Sequence, residues 1–231
     1  LVGGFDQIVS SLTNFGAVAL AASVAGSGFD IFAAVTSAQL GVLLVVRGAA
    51  AQPFAIAIGE GRVHSLRDTA GGGVVAAVTA LVLSVALALP VLVLGGDEWR
   101  GPVLLAAVST PALAVQDFFR FACIAFGRPG RALLSDASWG VLMSVGFAII
   151  RSSGSASPSV AILAWAGSGS VCALHFAPWL RLANGWQQLR SFQAQARQLM
   201  IDNGLIVSYS FAVPPLLALF AEAGAAGDLR L

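Results

Sequence analysis

Charged residues are scarce in this sequence, and lysine is absent. Only 10% of the 231 residues are charged, and every one of the 12 basic residues is Arg. A soluble globular domain is about one-quarter charged. The hydrophobic fraction here is 58% and the mean hydropathy is +0.87, which predicts a membrane protein. Because the Arg residues form no basic cluster, the composition argues against a nucleic-acid partner.

Motifs for nucleotide, metal or hydrolytic chemistry are also missing. The sequence has no GxxxxGK[ST] loop, no HExxH and no GxSxG. Cys123 and Cys172 stand alone in apolar runs, and His64 and His175 have no second ligand at helical spacing. We therefore expect no cofactor, no metal site and no enzymatic activity. An enzyme would need Asp and Arg residues inside the membrane to do its chemistry.

Seven apolar stretches are long enough to cross a membrane as a helix, which takes about 20 residues. They cover residues 6–26, 29–52, 72–95, 102–126, 132–150, 159–178 and 203–223. Backbone groups in lipid must be hydrogen-bonded within the segment, so we expect helices. The predicted fold is an all-α polytopic membrane protein with about seven transmembrane helices.

Arg residues are concentrated in alternate loops. Nine lie near the loops that follow spans two, four and six: Arg47, Arg62, Arg67, Arg120, Arg128, Arg131, Arg181, Arg190 and Arg197. The opposite side has Arg100, Arg151 and Arg230. The positive-inside rule then predicts a cytoplasmic N-terminus for this multi-pass protein.

Polar side chains inside the spans are candidate functional residues, because ionisable groups at membrane depth are costly. The candidates are Asn14, Gln39, Arg47, Asp117, Arg120 and Asp136. Asp117 and Arg120 share a helix face, and folding the chain about the turn at 127–131 brings Arg120 near Asp136. This cluster either fixes span four to span five or forms a cationic or proton-responsive element. Asn14 and Gln39 could bond between helices. Arg47 has no nearby carboxylate in sequence, so it either reaches the surface or lines a cavity.

Three stretches resemble a known family. FDQIVSSLTNFGAVALAASVAG followed by GFDIFAAVTSAQLGVLLVVRGAAAQPF resembles the opening helix pair of Wzx-type polysaccharide flippases. AVQDFFRFACIAFGRPGRALLSDASWG resembles their fourth and fifth helices. These flippases belong to the multidrug/oligosaccharidyl-lipid/polysaccharide exporter superfamily.

The resemblance implies two six-helix lobes around a central cavity that opens alternately to each side. Residues 1–178 would form the first lobe and 203–231 the first helix of the second. Residues 179–202 have Trp, Leu and Phe at helical spacing opposite Arg and Gln, which predicts an amphipathic interfacial helix. This helix either links the two lobes or is a plain surface helix.

The implied activity is the movement of an undecaprenyl-diphosphate-linked oligosaccharide across the bacterial inner (cytoplasmic) membrane for polysaccharide export. Arg47 and Arg120 would bind the diphosphate, while Asp117, Asp136, Asn14 and Gln39 would have structural or coupling roles. The implied partners are the lipid-linked glycan, membrane lipid, and a polysaccharide polymerase or glycosyltransferases of the same pathway. A multidrug or cation antiporter of the same superfamily is the first alternative, and a membrane glycosyltransferase or ligase is the second.

Overall fold

The structure, a computed structural model, describes residues 16–24, 28–155, 157–179, 190 and 192–220, with side chains up to residue 208. Every element in these residues is helical, and they contain no strand. We number the helices α1 (16–24), α2 (Phe29–Gly59), α3 (Ala70–Leu94), α4 (Asp97–Ala125), α5 (Pro129–Ser153), α6 (Pro158–Trp179) and α7 (Gln193–Phe220).

Five of these helices, α2 to α6, are long and apolar enough to cross a membrane. They have 22 to 31 residues each, so the predicted all-helical fold is confirmed, and their length and apolar composition suggest a membrane-embedded protein. The predicted first span covers residues 6–26, and its residues 6–15, 25 and 26 lie outside the described residues. The count of seven spans and the division into lobes stay predictions.

Helix α4 is the central helix of the bundle. It packs against α2, α3, α5 and α6, and its buried residues include Leu113, Phe118 and Phe119. Helix α3 is mostly exposed, with large apolar side chains such as Val82 and Leu87 on its surface. An exposed apolar face of this kind suits contact with lipid, so α3 lies at the periphery and α4 positions the interior polar groups.

A short turn joins α4 to α5, as the sequence predicts for residues 127–131. Gly127 has φ +67°, the left-handed conformation that a Cβ disfavours, and its N–H donates to Ile124 O at 2.9 Å. The Arg128 N–H donates to Cys123 O at 2.8 Å, and Pro129 begins α5. Because the turn is tight, the last turns of α4 lie beside the first turns of α5.

Two of the long helices contain a π-helical segment, Arg47–Ala51 in α2 and Leu163–Gly167 in α6. Such segments interrupt the regular α-helical hydrogen bonding and are frequent at functional sites. The Trp139 indole N–H donates to Trp165 O within the second segment, at 2.8 Å. The first segment begins at Arg47, one of the candidate residues.

Helix α7 runs without a break from Gln193 to Phe220, across the boundary that the sequence places at residues 202 and 203. Residues 180–189 and 191 of the predicted interfacial helix lie outside the described residues, so the division itself stays a prediction. The start of α7 packs on α2, where the Asn203 Nδ2 donates to Leu44 O at 2.9 Å and to Gln52 Oε1 at 3.2 Å.

The closest approach of α2 and α7 predicts a steric effect at Gly48. A Cβ at this position would lie 2.5 Å from Leu199 O, a backbone atom that cannot move alone. Gly48→Ala should therefore push α7 away and lower the free energy of unfolding by about 1–3 kcal/mol. Gly204→Ala is the matched control, because its Cβ would meet nothing within 4 Å. Thermal unfolding of the purified variants tests this, and equal midpoints would contradict the packing of α7 on α2.

Candidate functional site

A charged side chain from α2 binds one from α4. The Arg47 Nε donates to Asp117 Oδ2 at 2.6 Å, and its Nη2 donates to Asp117 Oδ1 at 2.9 Å. Both oxygens of the carboxylate are therefore held by one guanidinium. Charge-assisted pairs with this two-point geometry are stronger than single hydrogen bonds and fix the relative orientation of their partners. The pair connects two helices that are 70 residues apart in sequence.

The chain of charges continues from Asp117 to α5. The Arg120 Nη1 lies 3.7 Å from Asp117 Oδ1, one helical turn away, and the Arg120 Nε lies 3.0 Å from Asp136 Oδ2. The prediction that Arg120 and Asp136 pair across the α4–α5 hairpin is confirmed. We call Arg47, Asp117, Arg120 and Asp136 the charge network. Its charges alternate in sign and sum to zero.

Burial increases from one end of the charge network to the other. The side-chain exposure is 29% for Arg47, 12% for Asp117, 10% for Arg120 and 4% for Asp136. A buried charge whose partner is lost is strongly destabilising, so the inner pair depends on staying intact. Arg47 is the accessible end, and its Cζ lies 5.4 Å from the centroid of the Phe121 ring.

No carboxylate lies near Arg47 in sequence, as noted above, but the fold brings one from 70 residues away. The Arg47 head group turns towards α4 and binds Asp117, because the packing of α2 against α4 brings these two residues together. A guanidinium has five N–H groups, and Asp117 takes two of those of Arg47. Arg47 can therefore contact a further acceptor only through its remaining N–H groups, or by releasing Asp117.

Gln39 lies on α2 away from the charge network. Its Nε2 donates to Ala106 O at 3.1 Å and to Ser109 Oγ at 2.9 Å, both on α4. The prediction that Gln39 bonds between helices is confirmed. Eight residues separate Gln39 from Arg47, which is about 12 Å along the helix. Asn14 lies outside the described residues, and the coupling roles of both residues stay predictions.

Polar residues next to the charge network were missed as site residues. The Gln116 Nε2 donates to Ser135 Oγ at 3.2 Å, one position before Asp117 and Asp136 respectively. This bond is a second link between α4 and α5. The sequence contained a signal for this pair, since Gln116 and Ser135 each precede an intramembrane carboxylate and a polar residue in that position is itself costly to bury. Asn203 was also missed, although it is the polar residue at the start of the predicted seventh span.

The chain matches no protein-family model, no curated protein and no solved structure. The resemblance to Wzx-type flippases therefore stays a prediction. Among the residues that the structure describes, no three His, Cys, Asp or Glu side chains are grouped so that they could hold a metal ion.

The gradient of burial predicts how strongly each pair contributes to stability. Asp136→Asn removes the carboxylate charge that lies 3.0 Å from the buried Arg120, so it should cost about 3–5 kcal/mol of unfolding free energy. The same substitution in the exposed pair of Arg100 and Asp97, 2.7 Å apart, should cost no more than about 1 kcal/mol. Thermal unfolding of Asp136→Asn and Asp97→Asn measures the difference.

A charge exchange gives an independent check of the inner pair. Arg120→Asp alone should abolish stable expression, and Arg120→Asp combined with Asp136→Arg should recover part of it. If the double variant is no better than either single change, the two side chains do not depend on each other.

Proposed function

We propose that this chain is the first lobe, with the first helix of a second lobe, of a transporter that moves a lipid-linked oligosaccharide across the cytoplasmic membrane by alternating access. The supporting observation is the charge network, whose most exposed member, Arg47, has a side chain that is 29% exposed and gives two of its five N–H groups to Asp117. Such a group suits an anionic substrate that meets the protein within the membrane.

The chemistry of Arg47 favours a diphosphate as the recognised group. A guanidinium is always charged and presents a planar fork that matches two phosphate oxygens. Asp117 holds one edge of the fork in place, so the other edge is preorganised rather than mobile. Arg120 is a weaker candidate for direct contact, because it is only 10% exposed and lies between Asp117 and Asp136.

The position of the charge network supports contact from the Arg-rich end of the bundle. The Arg62 Cζ lies 4.6 Å from the Phe192 ring, and the Arg131 Cζ lies 4.9 Å from the Trp179 ring. Residues of the α2–α3 loop, the α4–α5 turn and the end of α6 also line one pocket, so these segments meet at one end of the bundle. Under the positive-inside rule this end is cytoplasmic, where a diphosphate-linked glycan would be assembled.

Alternating access requires a joint between the two lobes, and the contact of α7 with α2 is the proposed joint. The π-helical segment starts at Arg47, and its second residue, Gly48, packs directly on Leu199 and Met200 of α7. A movement of the second lobe would then shift Gly48 and, with it, the backbone of its neighbour Arg47, the proposed substrate-binding residue. The glycan, the second lobe and the pathway partners remain part of this proposal.

The proposal predicts that the charge of Arg47 is needed for export and not only for folding. Arg47→Gln combined with Asp117→Asn keeps a hydrogen-bonding pair of neutral side chains between α2 and α4. The double variant should reach normal abundance but lose roughly 90% or more of glycan export, the effect of about 1.4 kcal/mol or more of lost binding. Complementation of cells that lack the gene, with abundance checked by immunoblot, measures both.

Arg47→Lys and Arg100→Ala are the controls for this experiment. Lysine keeps the charge but not the planar fork, so Arg47→Lys should retain an intermediate level of export. Arg100 is 53% exposed and distant in sequence from the charge network, so Arg100→Ala should export normally. Normal export by the neutral double variant would refute a role for Arg47 in substrate binding and would favour the antiporter alternative.

The orientation is tested by labelling single cysteines. Cys123 and Cys172 are buried, so a Cys123→Ala and Cys172→Ala background should remain folded. Gly130→Cys lies in the exposed first turn of α5 and Ser155→Cys in the exposed α5–α6 loop. An impermeant thiol reagent added to intact cells should label residue 155 and not residue 130. The reverse pattern would place the N-terminus outside.

A further inference from the structure

A cavity of about 220 Å³ lies between α2, α3 and α4. Its walls are mostly Ala, Val and Leu, with the Trp99 side chain among them. The polar side chains that line it are Gln39, Ser84 and Thr110, and none of the charged residues that the structure describes is part of the lining. The charge network is not part of the lining.

The carbonyl oxygen of Gln39 has no partner in this cavity. The side chain is 3% exposed, and its Nε2 donates to Ala106 O and Ser109 Oγ. Because Ala106 O can only accept, the amide orientation is fixed and Gln39 Oε1 must find a donor elsewhere. Among the described residues no donor reaches it. A buried acceptor without a donor is destabilising, so a molecule that donates a hydrogen bond to this oxygen would remove that cost.

The hydroxyl of Ser84 is the second unpartnered group. Ser84 is 6% exposed, and its Oγ has no partner within the described part of the chain. Hydroxyls inside helices usually bond to the carbonyl four residues earlier. Thr110 does so in the same cavity, where its Oγ1 donates to Ala106 O at 2.6 Å, and Ser144 does so on α5. Ser84 departs from this habit, which leaves its hydroxyl available to the cavity.

We propose that this cavity binds an uncharged molecule with an apolar body and one O–H or N–H donor, which donates to Gln39 Oε1 and contacts Ser84 Oγ. Both polar atoms are more than nine-tenths buried in walls that are otherwise apolar. A charged ligand would find no counter-charge there. This site is independent of the proposed transport function.

Water alone fits the cavity poorly. A buried water makes two to four hydrogen bonds, and the lining offers few polar side chains for a volume of about 220 Å³. One donor group attached to an apolar body satisfies the oxygen of Gln39 and fills the remaining space with dispersion contacts.

The cavity opens towards the exposed side of α2 and α3. Ala34, Ala38 and Leu87 line it and are exposed at the surface. Because the neighbouring surface of α3 is apolar, the ligand would enter from the lipid phase. Two sources share the required chemistry, a compact aromatic alcohol dissolved in the membrane and a lipid-like chain that ends in a hydroxyl.

Trp99 provides a reporter for occupancy. The experiment uses the full chain in lipid nanodiscs and adds 4-bromobenzyl alcohol, whose bromine quenches nearby Trp fluorescence. The difference between wild type and Trp99→Phe isolates the signal of Trp99. We expect saturable quenching, and at least tenfold weaker saturable quenching by 4-bromotoluene at equal concentration in the lipid, because it lacks the hydroxyl.

Two variants connect the signal to the polar atoms. Ser84→Ala removes no bond present in the structure, so it should fold normally and weaken binding of the alcohol by a few-fold. Gln39→Leu should remove the preference for the alcohol over 4-bromotoluene. The control is Ser144→Ala, because the Ser144 hydroxyl is bonded within α5, away from the cavity. This variant should bind the alcohol as the wild type does.

The two sources are distinguished by adding 11-bromoundecanol in a parallel titration. Stronger quenching by this chain indicates a lipid alcohol, and stronger quenching by 4-bromobenzyl alcohol indicates a compact solute; both support the site. Quenching that does not saturate, or that is equal for 4-bromobenzyl alcohol and 4-bromotoluene, would overturn the proposal and leave a cavity that holds only water. Wild-type affinity and preference in both Ser84→Ala and Gln39→Leu would overturn it as well.

Discussion

An ionised group inside a helical membrane protein must be paired, and this constraint organises the middle of the bundle. Arg47, Asp117, Arg120 and Asp136 come from three helices, and each contacts a charge of opposite sign. Because the desolvation cost of one unpaired charge is several kcal/mol, α2, α4 and α5 cannot separate without breaking the sequence of pairs. The charges hold these helices in one register more strictly than their apolar faces could.

Local backbone geometry connects the charge network to the rest of the chain. Arg47 is the first residue of a π-helical segment, and Gly48 packs closely against the backbone of α7 at Leu199. The electrostatic centre and the contact with the last helix therefore share consecutive residues. Asn203 strengthens this contact by donating to Leu44 O, so α7 is fixed to α2 by a hydrogen bond as well as by close packing.

Sequence alone predicts the parts of this arrangement that are local. The helical period puts Asp117 and Arg120 on one face, and the short turn after α4 brings Asp136 beside them, so that pairing could be anticipated. The bond between Arg47 and Asp117 depends on how α2 packs against α4, and no spacing in the sequence encodes that packing. Hydropathy gives the ends of α3 to α6 to within five residues, but α2 runs to Gly59, seven residues past the predicted end of the second span. The π-helical segments and the unbroken course of α7 do not follow from hydropathy, because each depends on tertiary contacts.

Helix α2 binds α4 through two polar residues, Arg47 and Gln39, whose hydrogen-bonding groups are satisfied to different degrees. At Arg47 both oxygens of the facing carboxylate are bonded, and the anchor is electrically neutral. At Gln39 the amide nitrogen is bonded twice to α4 while the oxygen faces an apolar cavity without a donor. A satisfied buried network makes a structure rigid, whereas a partly satisfied one stores a cost that a ligand can relieve. The same helix thus supplies a fixed contact at Arg47 and, about two turns earlier, a site of uncharged recognition at Gln39.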